Sequence, residues 1–250
     1  MNHKIKKPLL EIAVFSWQGL EIAATYGADR IELCDNPQDG GTTPSFGMMQ
    51  KATETFELPI YPIIRPRGGH FVYSEEECEI MLHDIVICRQ IGIKGIVCGK
   101  LLPSGELDVE FMKRCRDSAG SMEITFHRAF DRCIDPWKAM ESLIRIGIQR
   151  ILTSGQFPDI MQGYPLVKQL IEIASNRIII MPGSGLNSRN LSFLHEKLHA
   201  SEYHTAARIV NAEDRIYTSP TMANDKMEYV SVSKLELSAL RQCLDTMKIL

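Results

Sequence analysis

Charged and sulfur-bearing side chains alternate with aliphatic ones in two stretches of the chain. In residues 28–41, Arg30, Glu32 and Cys34 alternate with aliphatic neighbours. In residues 60–70, an aliphatic run leads into two arginines in the sequence RPRGG. Successive side chains of a strand point to opposite faces. Each stretch is therefore predicted to be a strand with one aliphatic face and one face that carries charge towards its C-terminal end.

The two arginines of RPRGG, Arg65 and Arg67, favour an anion site. Two guanidinium groups this close repel each other unless an anion lies between them, and arginine suits bidentate contact with carboxylate or phosphate. Two glycine-rich turns after late strands could add backbone N–H groups for a phosphate, although such turns also occur without any ligand. The predicted anion-binding residues are Arg65, Arg67, Ser154, Gly155, Gly183, Ser184 and Gly185.

Three titratable residues are candidates for proton transfer: Glu32, His127 and Asp131. Histidine can act as a general acid or base near neutral pH, but a buried histidine is also often structural. Further polar residues are expected at the same place, namely Glu11, Arg30, Arg128 and His204. An alternative for Arg30 is an ion pair with Glu11 or Glu32 that plugs the interior of the fold.

Strand-like and helix-like segments alternate eight times along the chain, at roughly 20 to 35 residues per repeat, as in a barrel of eight β/α units. The sequence therefore predicts a single α/β domain over residues 1–250, a (β/α)8 TIM-type barrel with its core at about 9–207. Residues 208–250 form a C-terminal extension that ends in a helix, and its segment 208–232 either folds over the barrel mouth or meets a second subunit. A doubly wound open sheet is the alternative, but no G-x-G-x-x-G follows the first strand. In a barrel, the charged strand ends would meet around one axis.

Composition excludes several classes of function. The net charge is −3, with 28 Lys and Arg against 31 Asp and Glu, and no basic run suggests nucleic acid or an anionic membrane as a partner. Seven scattered cysteines without a C-x-x-C pair favour neither a zinc ribbon nor a disulfide framework. We expect a reduced, cytoplasmic protein with no signal peptide and no membrane span.

Several segments together resemble the CutC family, which is named for copper homeostasis: GADRIELCDNPQDGGTTPSFG, PIIRPRGGHFVYS, TFHRAFD, RILTSGQ and IIIMPGSGLN. The resemblance runs from about residue 9 to 207. It implies a cytoplasmic barrel that self-associates as a dimer or larger oligomer, a role in copper tolerance, and no established reaction.

Copper(I) is the one cofactor that the resemblance implies. Copper(I) prefers thiolate and thioether ligands. Family members proposed to bind it use a cysteine at the end of strand two, here Cys34, and another in strand one. Position 13 of this chain is Ala13, so two thiolates from these strands cannot meet within one subunit. Cys34 would then need Met181, His204 or Cys98 as a further ligand, or it is a small buried residue.

Two functions and one structural role remain open from the sequence. The protein binds or carries copper(I), or it is a barrel enzyme that acts on a small phosphate- or carboxylate-bearing metabolite. In the enzyme, Arg65 and Arg67 would bind the anion, and Glu32, His127 and Asp131 would transfer protons. The third reading is an oligomeric scaffold with the C-terminal extension as its interface.

Overall fold

The computed structural model describes residues 7–212, 217, 219, 221 and 228–247. The first eight strands are β1 Leu9–Val14, β2 Arg30–Leu33, β3 Ile60–Pro62, β4 Gly95–Cys98, β5 Glu123–Phe126, β6 Arg150–Thr153, β7 Ile179–Pro182 and β8 Glu202–Thr205. The helices are α1 Trp17–Tyr26, α2 Phe46–Thr55, α3 Glu75–Gln90, α4 Val109–Ala119, α5 Pro136–Ile146, α6 Ile160–Ala174, α7 Leu191–Leu198 and α8 Lys234–Asp245. A helix follows each of the strands β1 to β7, as the sequence predicted, and α8 follows β8 after the C-terminal extension begins.

The strands form two parallel four-stranded sheets that meet at both ends. Their orders are β3-β2-β1-β8 and β4-β5-β6-β7. A parallel bridge between Ile63 and Val97 joins β3 to β4, and the Ile64 N–H donates to the Val97 carbonyl at 2.7 Å. At the other junction β7 lies beside β8. Neighbours in space are therefore consecutive in sequence around the whole ring. This order is that of a (β/α)8 barrel, whereas a doubly wound sheet reverses its order.

Helix boundaries follow local chemistry. Ser74 and Glu77 form a capping box at the start of α3, and each side chain accepts from the other residue's backbone N–H. Gly27 ends α1 in the left-handed conformation, with φ of 102°. The outward faces of the strands, such as Ile31 and Leu33 of β2, are fully buried against the helices. The core between strands and helices is therefore aliphatic, and this leaves the polar residues for the barrel interior.

The C-terminal extension contains two strands that the sequence did not predict. Strands β9 Arg208–Ala212 and β10 Glu228–Val232 pair antiparallel, and α8 then packs against α1 and α7. Ser233 caps α8 by accepting from the Glu236 N–H. Within the described ranges, no helix combines the length and the apolar character needed to cross a membrane.

Candidate functional site

A cavity of about 830 Å³ opens at the C-terminal ends of the barrel strands. Active sites of such barrels lie at this end. Loops after β1, β2, β3, β5, β7 and β8 contribute to its wall. Its charged and titratable lining residues are Glu32, Arg65, His127, Arg128, Arg189, His204, Arg208 and Glu236.

Below the cavity, an ion network fills the barrel interior. Arg30 pairs with both Glu11 and Glu202, and the Arg150 Nε donates to Glu202 at 3.0 Å. Arg150 also lies 2.8 Å from Glu123. Arg30 and Glu11 were expected at the mouth, but they do not line the cavity. The predicted ion pair between Arg30 and Glu11 in the barrel interior is therefore confirmed. Such a pair is needed because burying an arginine without a counter-charge costs several kcal/mol.

His204 connects this network to the cavity. Its Nδ1 lies 2.8 Å from Glu11 Oε1, and its Nε2 lies 3.5 Å from Glu32 Oε2. Burial alone would raise the pKa of Glu11, but Arg30 and His204 together lower it to about 2. Burial opposes charge on His204, yet its hydrogen bond with Glu11 and the charges of Glu32 and Glu11 raise its pKa.

Within the described part of the chain, Glu32 differs from Glu11 in having no arginine partner in an ion pair. Burial raises the pKa of Glu32 to about 7, and the negative charge of Glu11 adds to this while His204 opposes it. A carboxyl group with this pKa can both accept and release a proton near neutral pH. Glu11, His204 and Glu32 thus form a continuous line of contacts from the interior ion network to the cavity wall.

His127 lines the same cavity, and the first turn after β5 fixes its ring. The Ala129 N–H donates to His127 Nδ1 at 3.2 Å, and the ring lies 4.8 Å from that of Phe71. Burial and the nearby positive charge of Arg65 lower the pKa of His127 to about 3. At neutral pH this imidazole is therefore uncharged and can serve as a hydrogen-bond donor.

The two arginines of RPRGG have separate partners, which corrects the prediction of an anion between them. Arg65 is buried and donates to the carbonyls of Asp39, Gly41 and Gly69, at 2.6 to 2.8 Å. Arg67 donates to both carboxylate oxygens of Glu77 and to backbone carbonyls, and it does not line the cavity. Arg65 thus contributes charge to the site, and Arg67 holds its own loop to α3.

The structure also corrects the prediction that Asp131 transfers protons, because five donor groups lie within hydrogen-bond distance of its carboxylate. Its carboxylate accepts from Arg128 Nε at 2.8 Å and from Thr153 Oγ1. The Ser154 N–H and hydroxyl and the Gln156 N–H also lie within hydrogen-bond distance. Asp131 therefore fixes the loop after β6 and does not line the cavity. Because both carboxylate oxygens already accept hydrogen bonds, neither is free for proton transfer.

The glycine-rich turns owe most of their glycines to close packing. A Cβ on Gly155 would lie 2.1 Å from the Gly163 carbonyl oxygen, and one on Gly183 would lie 2.6 Å from a Leu152 methyl. Ser154, Gly155 and Gly183 do not line the cavity, whereas Ser184 and Gly185 do. The predicted phosphate site is thereby reduced to the second turn, where Ser184 has a positive φ of 70°.

Sequence reasoning missed two arginines at the rim, Arg189 and Arg208. Arg189 follows the second glycine-rich turn by four residues, and Arg208 begins the strand after β8. Within the described chain, the Arg189 guanidinium has neither a hydrogen bond nor an ion pair. Arg208 donates to the Pro37 carbonyl and lies 4.6 Å from the Phe15 ring. Arg208 lies just beyond the end of β8, and that position could have identified it, whereas Arg189 is too far from the end of β7 for the same signal.

Cys34 is buried outside the cavity lining. A Cβ on Gly41 would lie 3.2 Å from its sulfur, and burial with the charges of Glu32 and Glu11 raises the pKa of its thiol well above the usual value. Met181 lies instead against Arg30, and Cys98 interacts with Cys115 behind the barrel wall. The described residues contain no group of three or more His, Cys, Asp or Glu side chains suited to a metal ion.

The fold and the mouth cavity define a (β/α)8 barrel protein with a polar site at the C-terminal ends of its strands. A profile described as "CutC family" matches residues 8–209, and the chain belongs to this family. A CutC family protein of Parabacteroides distasonis is 44% identical over 205 residues, which cover 82% of this chain and 84% of that protein. The human "Copper homeostasis protein cutC homolog" is 42% identical over 80% of this chain and 73% of its own length.

Solved structures agree with this assignment. A CutC protein from Streptococcus agalactiae superposes with a TM-score of 0.76 at 30% identity, covering 80% of this chain and 98% of that one. Phosphoribosyl anthranilate isomerase from Thermotoga maritima gives a TM-score of 0.60 at 11% identity, covering 96% and 100%. The second likeness supports the barrel fold alone.

Proposed function

We propose that the protein is a barrel enzyme that binds a small organic anion at the mouth and transfers a proton within it. The observation that carries this proposal is the placement of Glu32 and His204, a titrating pair, in one cavity with four arginines. Such a combination of an acid–base group and an anion-binding wall is typical of an active site. Glu32 would be the acid–base group, and His204 would position it and adjust its charge.

Charge balance in the cavity favours an anionic ligand. Among the described residues, Arg65, Arg128, Arg189 and Arg208 line it together with two carboxylates, Glu32 and Glu236, and Arg128 is also paired with Asp131. Glu236 is already occupied, because it accepts from the Ser188 N–H at 2.6 Å and from the Ser188 hydroxyl at 3.0 Å. A phosphate or carboxylate at the rim would therefore supply the counter-charge that Arg189 lacks.

A thermal-shift screen of phosphorylated and carboxylated metabolites tests the proposal. We expect at least one such anion to raise the melting temperature of the wild type, and Arg189→Ala to remove most of that shift. Arg114→Ala is the matched control, because Arg114 is exposed, pairs with Glu75 and lies outside the cavity. The absence of stabilisation by any anion, or equal shifts in both variants, would refute the proposal.

The names of relatives favour a second candidate, a role in copper homeostasis. The human and mouse relatives carry this role in their printed names. Cys34 is the copper(I) ligand that the family resemblance suggests, and its thiol is buried with a pKa raised well above the usual value. Competition titration with a copper(I) chelator separates the two readings. We expect the wild type and Cys34→Ala to bind equally weakly, whereas tight binding that Cys34→Ala removes would establish a copper site.

We also propose that the protein is cytoplasmic and self-associates through the surface around β9, β10 and the start of α8. The cytoplasmic location is supported by the cysteines, because all seven are free, as expected in a reducing compartment. Val210 of β9 and Leu235 of α8 are 58% and 85% exposed. Light scattering on the wild type and on a Val210→Glu, Leu235→Glu variant tests it. A monomeric wild type would exclude the interface.

A further inference from the structure

The tautomer of His127 follows from its backbone contact. A backbone N–H can only donate, so His127 Nδ1, which receives the Ala129 N–H at 3.2 Å, is an acceptor without a proton. The proton of the neutral ring is then on Nε2. Gly99 makes room for this orientation, because a Cβ there would lie 2.8 Å from the ring.

The Nε2–H of His127 is a buried donor that lacks an acceptor. The residue is 3% exposed, and no atom of the described chain accepts a hydrogen bond from Nε2. Leaving such a donor unpaired costs free energy, and His127 lines the mouth cavity, so an oxygen of a ligand bound there would satisfy it. The Arg65 guanidinium, close enough to act on the charge of His127, makes this place favourable for negative charge on that oxygen.

We infer that the site removes a proton from a carbon next to a carbonyl group, with Glu32 as the base and His127 Nε2–H as the donor to the carbonyl oxygen. This inference rests on the proposed function and specifies its reaction class. A base and a neutral imidazole donor in one cavity form the pair needed for enolisation. A neutral imidazole suits this role because it keeps its donor proton while negative charge develops.

The step balances within the substrate and Glu32. The proton of the substrate carbon passes to the Glu32 carboxylate, and the C–H electron pair becomes the C=C bond of an enolate. The carbonyl π electrons move to oxygen, where His127 Nε2–H donates a hydrogen bond. Glu32 then returns the proton to the same carbon, so the carbonyl group re-forms and no oxidant or reductant is required.

The residues that line the cavity also indicate the class of substrate. Arg189 and Arg208 favour a phosphate or carboxylate group, and the inferred roles of His127 and Glu32 call for a carbonyl with an adjacent C–H bond. We therefore assign small enolisable ketones, aldehydes or oxo acids that carry an anionic group.

Deuterium exchange from D2O tests the reaction class, with dihydroxyacetone phosphate and pyruvate as probes and proton NMR as the readout. We expect exchange at the carbon next to the carbonyl of at least one probe. Glu32→Gln should abolish it. His127→Leu should slow it about a hundredfold, the usual cost of removing one oxyanion donor. His127→Gln, which keeps an N–H donor, should retain a rate within about tenfold of the wild type.

Two results would overturn the inference. The first is deuterium exchange in the wild type that is no faster than in Glu32→Gln or His127→Leu with either probe. If the anion-dependent thermal shift and its loss in Arg189→Ala are still observed, this result refutes the reaction class and leaves the proposed anion site intact. The other comes from NMR of the protein labelled with ring-¹⁵N histidine, a readout independent of the probes. We expect a neutral His127 with its proton on Nε2 at pH 7, and an imidazolium or an Nδ1–H tautomer would contradict the inference.

Discussion

The buried ion network beneath the cavity makes the stability of the barrel depend on pH in a defined direction. The perturbation is Glu11→Gln, which removes the carboxylate shared by Arg30 and His204. Glu11 has a pKa of about 2 in the folded protein, against 4.5 as its ordinary value. Its contribution to stability is therefore complete above pH 4.5 and is lost as the pH falls from there towards 2.

The expected magnitude follows from this difference in pKa. At about 1.36 kcal/mol for each pKa unit, the lowering from 4.5 to about 2 corresponds to roughly 3 kcal/mol. The Glu11→Gln protein should be less stable than the wild type by this amount at pH 7. The gap should narrow below pH 4.5, because the wild type then loses the same contribution.

Urea unfolding followed by far-ultraviolet circular dichroism at pH 7, 5 and 4 measures this gap. Glu110→Gln is the control, since Glu110 pairs with Lys113 on the surface and its side chain is 81% exposed. We expect no measurable change for the control at any pH. A Glu11→Gln protein as stable as the wild type at pH 7, or a gap that stays constant down to pH 4, would refute the assigned role of the network.

Three further predictions concern the site and its supports. Glu32→Gln should raise the free energy of unfolding by roughly 3 kcal/mol at pH 8. The pKa of Glu32 is about 7 in the folded protein against an ordinary value of 4.5, so its charged form destabilises the fold above pH 7. The same urea titrations should show no gain in stability below pH 4.5. Asp131→Asn should lower stability by about 3 kcal/mol through its buried donors, with anion-dependent thermal shifts retained; loss of those shifts alone would place Asp131 in the site. Gly183→Ala should cost about 1–3 kcal/mol through contact with Leu152 and His204, and an unchanged melting temperature would contradict that packing.

The sequence predicted the barrel because its strand and helix patterns are local. Alternation within β2, for example, places Arg30 and Glu32 on one face whatever lies elsewhere in the chain. The same alternation placed Glu32, His127 and His204 inside the barrel, and the structure brings all three to one cavity. The CutC assignment rested on motifs spread over most of the chain, and the family profile confirms it.

What the sequence could not predict were the partners of each charge. Arg65 and Arg67 are two residues apart and were expected to share a ligand, but Arg65 binds carbonyls of two loops and Arg67 binds Glu77 of α3. Such contacts depend on how loops fold over the strand ends, which no local pattern encodes. The depth of Arg30 in the barrel likewise depends on the register between β1 and β2.

The most direct test of the anion site is a crystal structure of the protein grown with 2-phosphoglycolate, which carries both a phosphate and a carboxylate. We predict that the molecule lies in the mouth cavity, with one anionic group against Arg189 and an oxygen within hydrogen-bond distance of His127 Nε2. A cavity that holds only water under saturating ligand, or a ligand bound elsewhere on the protein, would contradict the proposed function.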